Sequence, residues 1–177
     1  MSPRSILPWP DPRLRRAAAE VPEITEEIRA LWDEMVAVMD AMPGVGLAAP
    51  QIGVMLRLAV VDASQSRDRR ILLANPEVLE ASARLAEHEE ASPNLPGVSA
   101  LVRRPRAVTV RYLDAAGVVV RRDFVGLEAV SVQHQIEHLT GRMYFDRLSK
   151  LKRDMLLRRA RKRAGGGGLE GPLTRRA

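Results

Sequence analysis

Residues 127–140 read Leu-Glu-Ala-Val-Ser-Val-Gln-His-Gln-Ile-Glu-His-Leu-Thr, and their apolar positions recur at helical spacing. Gly141 follows at once, so we predict a helix that ends there. Strand-like runs precede this helix at residues 56–62, 70–74, 107–113 and 118–124. Further helices are predicted at residues 25–42 and 146–163. One helix, several strands and then two helices indicate an α+β domain with a mainly antiparallel sheet.

Composition excludes several classes of protein. The chain has 177 residues and no cysteine, so it can form neither a disulfide nor a thiolate–metal bond, and it has no thiol nucleophile. It contains no run of about 18 apolar residues, the minimum for a membrane span. Because the N-terminus also lacks a secretory pattern, we expect a cytoplasmic protein without a membrane partner.

Positive charge is concentrated at the C-terminal end. Residues 144–177 hold 11 Lys and Arg against 3 Asp and Glu, whereas the whole chain has a net charge of +6. Such a block fits an anionic partner or a solubilising tail, and it contains no specific nucleic-acid motif. We predict one domain over residues 1–164 and a Gly-rich, basic and disordered tail over residues 165–177.

His134 and His138 are four residues apart on the predicted helix, so both imidazoles leave the same face. This spacing can chelate one metal ion. It also fits two idle histidines on a solvent-exposed face, because the apolar stripe of this helix is centred opposite them. That stripe consists of Ala129, Val132, Ile136 and Leu139. Spacing alone leaves both interpretations open.

Three segments resemble the signatures of the peptide deformylase family. Residues 44–51 read Gly-Val-Gly-Leu-Ala-Ala-Pro-Gln, like the first signature, usually G-V-G-L-A-A-P-Q. Residues 90–94 read Glu-Ala-Ser-Pro-Asn, where the family usually has E-G-C-L-S. Residues 133–139 read Gln-His-Gln-Ile-Glu-His-Leu, where it usually has Q-H-E-x-D-H-L. The likeness extends over about residues 5–163 in the same order.

The resemblance implies a bacterial enzyme of translation that removes the formyl group from N-terminal formylmethionine. It also implies a mixed α/β domain in which the histidine helix lies against the sheet. His134 and His138 match two ligands of ferrous iron or zinc, and Gln51 matches a donor to the developing oxyanion. The family's third ligand is the second-signature cysteine, its third-signature Glu handles the proton, and a backbone N–H completes the oxyanion hole.

Three positions of this chain depart from that pattern. Ser92 stands where the metal-binding cysteine is usual, and a neutral hydroxyl is a poorer ligand than a thiolate. Gln135 stands in place of the Glu, whose role alone is worth about 10²–10⁴ in rate. Pro93 has no backbone N–H where the oxyanion donor is usual.

These departures lead us to predict a deformylase-like protein that lacks deformylase activity and is not an enzyme. We expect no cofactor, or a ferrous iron or zinc ion that is held only weakly. The first alternative is an active, metal-dependent deformylase. The second is a different hydrolase, with Ser92 as nucleophile and a helix histidine as its base.

Binding functions are predicted separately from catalysis. By resemblance, a peptide groove is expected along Gly44, Val45 and Gly46 on one side and Leu95, Pro96 and Gly97 on the other. The basic helix at residues 146–163 matches the place of a ribosome-docking helix in bacterial deformylases. Its apolar stripe is predicted at Leu148, Leu151 and Met155. A ribosome or a nascent peptide is therefore the expected partner.

Overall fold

A five-stranded antiparallel sheet forms the larger part of the fold in a computed structural model that describes residue 2 and residues 4–166. Its strands are β1 (Gly46–Ala48), β2 (Leu58–Val61), β3 (Ile71–Ala81), β6 (Ala107–Leu113) and β7 (Val119–Val125), side by side in the order β1-β2-β3-β6-β7. Four of these strands overlap the predicted runs, but β3 continues to Ala81, whereas its prediction ends at residue 74. β1 is too short to show an alternating pattern, and the sequence missed it.

A second sheet is the hairpin of β4 (Leu85–Ser92) and β5 (Leu95–Pro105). Ser92 pairs with Leu95, so the connection is the two-residue turn Pro93–Asn94. Proline suits the first position of such a turn because its φ angle is already fixed near the required value. The sequence missed this hairpin as an element because its strands carry many charged residues and little apolar alternation.

The helix with the two histidines is α2, Gly126–Leu139, as predicted to within a residue at each end. It packs on the larger sheet through Ala129 and Val132, which join a buried cluster with Phe124 of β7. On its other side, the side-chain Nε2 of Gln133 donates to the carbonyl oxygen of Pro105 in β5 at 3.0 Å. The helix therefore contacts both sheets, and its histidine face is covered.

The first predicted helix is α1, Glu26–Asp40, which begins where the Thr25 hydroxyl caps the chain by accepting from the Ile28 N–H at 3.3 Å. Trp32, Met35 and Met39 bury its apolar face. Three short 3-10 turns, Pro12–Arg15, Ala49–Ile52 and Tyr144–Arg147, complete the fold.

The C-terminal helix differs from its prediction in start and in face. Residues 144–147 form a 3-10 turn, and α3 spans Lys150–Gly165. Its buried residues are Leu156 and Ala160, whereas Leu151 and Met155 of the predicted stripe are 71% and 51% exposed. Residues 167–177 of the predicted tail lie outside the described residues. In the part of the chain that is described, no helix combines the length and apolar character needed to cross a bilayer.

Candidate active site

A cavity of about 440 Å³ opens between the chain around β1, the end of β4 and helix α2. Residues 42–46 form one wall and residues 89–93 form the other. His134 and Gln135 of α2 and the side chain of Gln51 also line the cavity. The fold thus brings all three segments of the family resemblance to one place.

The two histidines are buried and face each other. Their Nε2 atoms are 3.0 Å apart, and their exposed fractions are 8% for His134 and 1% for His138. The idea of two idle histidines on an exposed face is therefore wrong. The face opposite the apolar stripe is covered by β4, which approaches α2 from a distant part of the chain.

Glu90 orients the first imidazole. The Nδ1–H of His134 donates to Oε1 of Glu90 at 2.8 Å, which leaves the Nε2 lone pair of His134 free. Arg104 of β5 binds the same carboxylate through Nε at 2.6 Å and through a second nitrogen at 2.9 Å. Burial alone would raise the pKa of Glu90, but the hydrogen bonds from His134 and Arg104 prevail and hold it at about 2.

The second imidazole is uncharged. Complete burial lowers the pKa of His138 well below its usual value, and the neighbouring His134 and Arg104 act in the same direction. A neutral imidazole keeps the lone pair that a metal ligand needs.

Tyr144 stacks on the His134 ring, with 5.9 Å between the ring centroids. Burial, followed by the charge of Glu90, raises the pKa of the Tyr144 phenol to about 12.

Gln51 has a fixed amide orientation. Its Oε1 accepts from the backbone N–H of Ala48 at 2.9 Å, and its Nε2 donates to Oδ1 of Asn94 at 2.8 Å. Among the described residues no second acceptor takes the other N–H of Nε2. Gln51 is therefore a buried amide with one donor to spare at the cavity.

Gln135 fills the space beside Gly46. A Cβ on Gly46 would lie only 2.7 Å from Nε2 of Gln135 and 2.6 Å from Oγ of Ser131, closer than real Cβ contacts. The missing side chain of Gly46 is what lets the Gln135 amide lie against the chain of β1. Oε1 of Gln135 is buried and has no hydrogen-bond partner in the described part of the protein, which leaves an unsatisfied acceptor on a residue that lines the cavity.

Ser92 donates its hydroxyl proton to Oδ1 of Asn94 at 3.0 Å. A serine nucleophile would instead donate to an imidazole base, so the geometry contradicts the alternative of a serine hydrolase.

Glu137, which neighbours the histidine pair in sequence, accepts from Arg104 at 3.0 Å and from Arg147 at 2.5 Å. It supports the fold from outside the cavity.

The structure places the two predicted walls of the peptide groove differently. Gly44, Val45 and Gly46 line the cavity, as does Pro93. The opposite wall comes from residues 89–93 and not from residues 95–97, because the hairpin turn carries the chain away after Asn94. Leu95 is buried in a cluster with Leu7, and Gly97 receives a hydrogen bond from Arg163 of α3.

Comparison with known proteins decides the family. The polypeptide deformylase family matches residues 3–154. The chain belongs to this family. A peptide deformylase of Hydrogenovibrio crunogenus is 40% identical over 92% of this chain and 95% of its own length. One from Acidobacterium capsulatum is 42% identical over 93% and 97%. The crystal structure of a peptide deformylase from Legionella pneumophila has a TM-score of 0.88 and 38% identity over 96% of this chain and all of the other.

This finding overturns the prediction of an inactive protein. Relatives about 40% identical over more than nine tenths of the chain are named peptide deformylase, so both the loss of activity and the assignment as a non-enzyme are wrong. The prediction rested on three positions, Ser92, Pro93 and Gln135, each of which differs from the residue that is usual in the family signature. It gave too little weight to the two facing imidazoles and the fixed amide donor that the chain retains, and it missed the carboxylate that orients one imidazole.

Sequence reasoning also missed three residues of the site. Arg104 is 1% exposed and neutralises Glu90, Asn94 ties Ser92 to Gln51, and Tyr144 stacks on His134. Arg104 directly follows the exposed Arg103 on β5, so no local pattern distinguishes the buried arginine from its neighbour. Asn94 had a signal, since it follows Pro93 inside a resembled motif, but its contacts are made with distant segments.

Proposed function

We propose that this protein is a metal-dependent peptide deformylase that hydrolyses the formyl group of N-terminal formylmethionine. The observation that carries the proposal is the pair of buried imidazoles, with Nε2 atoms 3.0 Å apart, beside a cavity that is lined by His134 and Gln51. The relatives named peptide deformylase support the same activity.

The donors at the cavity fit a ferrous or zinc ion through the two histidines. The two Nε2 atoms lie 3.0 Å apart, and the neutral state of His138 suits a ligand. Among the described residues no third His, Cys, Asp or Glu joins them, and Ser92, which stands at the position of the family's third ligand, lines the same cavity as His134. When bound, the ion supplies Lewis-acid activation of water near neutral pH.

The side chains of Gln51 and Gln135 provide two further contributions to catalysis. The free N–H of Gln51 Nε2 is placed to stabilise the oxyanion that develops when the formyl carbon is attacked. The unpartnered Oε1 of Gln135 orients a water by accepting one of its protons in a hydrogen bond. An amide does not take that proton, so Gln135 contributes orientation and not general base catalysis.

Peptide substrate would lie along residues 44–46, whose backbone borders the cavity.

The partners predicted for the C-terminal helix remain proposals. Helix α3 presents Arg159 and Arg163 beside Gly97 at a polar surface cleft, and this surface suits ribosomal RNA or a nascent chain. A cytoplasmic location is proposed on the same basis as the ribosomal partner.

Formate release from a formyl-Met peptide tests the proposed activity. The protein loaded with ferrous iron or zinc should release formate, and the variant His138→Ala should be slower by 10²-fold or more because one ligand is gone. His88→Ala is the matched control, since His88 lies on β4 outside the cavity lining and should leave the rate within about twofold. No formate release from the loaded wild-type protein would refute the proposal.

A further inference from the structure

Asn94 is the hydrogen-bonding centre behind the cavity. It occupies the second position of the β4–β5 turn and is 1% exposed. Its Nδ2 donates to the carbonyl oxygen of Leu7 at 2.7 Å and to that of Gln51 at 3.3 Å. Its Oδ1 accepts from Gln51 Nε2 at 2.8 Å and from Ser92 Oγ at 3.0 Å. One side chain thus joins the N-terminal arm, residues 4–25 that precede α1, to two groups that line the cavity.

The chemistry of these partners fixes which way the Asn94 amide faces. Carbonyl oxygens of Leu7 and Gln51 can only accept, so the NH₂ group of Asn94 must face them. Its oxygen then faces the side chains of Gln51 and Ser92, and both must act as donors toward it. The reverse orientation would bring the Asn94 oxygen against two carbonyl oxygens in a buried site.

The orientation of the Asn94 amide also determines which atoms Gln51 and Ser92 present to the cavity. Because Gln51 must present nitrogen to Asn94, its oxygen faces the Ala48 N–H, which donates to it at 2.9 Å. Its remaining N–H is the donor available to the cavity. Because Ser92 gives its proton to Asn94, the oxygen of Ser92 offers lone pairs and no proton. Without Asn94, the Gln51 amide keeps its contact with the Ala48 N–H, but its Nε2 loses the acceptor that holds it in place, and the hydroxyl of Ser92 is free to rotate.

We propose that Asn94 is a positioning residue for the reaction, which sets Gln51 as a hydrogen-bond donor and Ser92 as an oxygen acceptor toward the cavity. The N-terminal arm shares in this function. The Leu7 N–H donates to the backbone oxygen of Gln51 at 2.8 Å, and the Trp9 N–H donates to that of Asn94 at 2.8 Å. The inference rests on the proposed deformylase function, and its test therefore has one readout that does not need turnover.

The test compares Asn94→Ala with Asn75→Ala. Asn75 is a matched control because its side chain also clamps a passing segment, accepting from the Val21 N–H and donating to the Val21 oxygen, both at 2.8 Å. Asn75 lies outside the cavity lining, and alanine at its φ of 49° is strained, so its loss of stability should be at least comparable. A third variant, Asn94→Asp, keeps an acceptor for Gln51 and Ser92 but removes the NH₂ donor.

The first readout is steady-state hydrolysis of a formyl-Met peptide by the metal-loaded variants. We expect kcat of Asn94→Ala to fall by about 10-fold or more with KM within about threefold, because the Gln51 donor acts on the oxyanion and not on bound substrate. Asn75→Ala should keep kcat within about twofold. Equal kcat values for the two alanine variants would overturn the proposal.

The second readout is the NMR resonance pair of the Gln51 side-chain NH₂, assigned by its loss in Gln51→Glu. One proton should be shifted by the hydrogen bond in the wild-type protein, in Asn75→Ala and in Asn94→Asp, and the shift should be lost in Asn94→Ala. If the wild-type protein releases no formate, the proposed function fails and this resonance alone decides the inference. A Gln51 pair that is unchanged in Asn94→Ala would overturn it whatever the turnover.

Discussion

Gly46 is the residue at which the absence of a side chain matters most for the cavity. The substitution Gly46→Ala would bring a Cβ to 2.6 Å from Ser131 Oγ and 2.7 Å from Gln135 Nε2. Since the backbone of β1 is held in the sheet, the amide of Gln135 must move. We expect kcat/KM for a formyl-Met peptide to fall by about 10-fold or more, as displacement of a positioned group by about 1 Å can cost 10²-fold.

Gly44→Ala provides the control, because it is the same change two residues away on the same cavity wall. A Cβ at Gly44 would find its nearest neighbour, the Gly46 oxygen, at an ordinary 3.8 Å. Its kcat/KM should stay within about twofold of wild type. Equal losses in the two variants would show that any methyl group on this wall blocks the peptide, and that the position of Gln135 is not the cause.

In helix α3, the contribution of a side chain to the stability of the protein depends on which face of the helix it occupies. Leu156 is fully buried against the cluster that includes Val102 of β5, whereas its neighbour Met155 is half exposed. Leu156→Ala should lower the free energy of unfolding by roughly 2–5 kcal/mol through loss of burial and a residual cavity. Met155→Ala should change it by about 0.5 kcal/mol or less. Urea unfolding of the two variants measures both values, and similar losses would place the helix in the wrong rotation.

The elements also show what a sequence pattern can and cannot predict. Helices α1 and α2 and the longer strands of the large sheet follow from local periodicity, and so does the common face of His134 and His138. The burial of that face does not, because it depends on Glu90, 44 residues away along the chain. Arg104 and Asn94 were missed for the same reason: each owes its role to contacts that no local spacing encodes.

The N-terminal arm runs from the cavity to the end of α2 and the segment after it, and it packs against both. Trp9 packs edge-on against Phe145 at 5.0 Å between ring centroids, and the Ala18 N–H donates to the Leu139 oxygen at 2.9 Å. Arg15 completes this contact by donating to Oδ1 of Asp146 at 3.0 Å. The arm therefore joins the first and last thirds of the chain, and its ion pair gives the closure a dependence on pH.

Asp146 is the titrating member of this contact. Burial would raise its pKa, but the hydrogen bonds from Arg15 and from the Met143 N–H prevail and lower the pKa below its usual 3.8. The unfolded chain therefore binds this proton more readily than the folded protein. The resulting stability is complete above the ordinary carboxyl pKa and is lost as the pH falls through the lowered value.

The substitution Asp146→Asn should reveal this dependence. At pH 7 it should lower the free energy of unfolding by roughly 1.5–3 kcal/mol, the range for hydrogen bonds to a charged group. Below about pH 4 the difference from wild type should begin to shrink, because the carboxyl then takes up a proton in the unfolded chain while it is still ionised in the folded protein. Asp154→Asn, which removes an exposed pair with Lys150 within α3, should have little effect at any pH. Urea unfolding at pH 7, 5 and 3.5 measures the difference, and a loss that stays constant over this range would mean that Asp146 holds the arm by shape and not by charge.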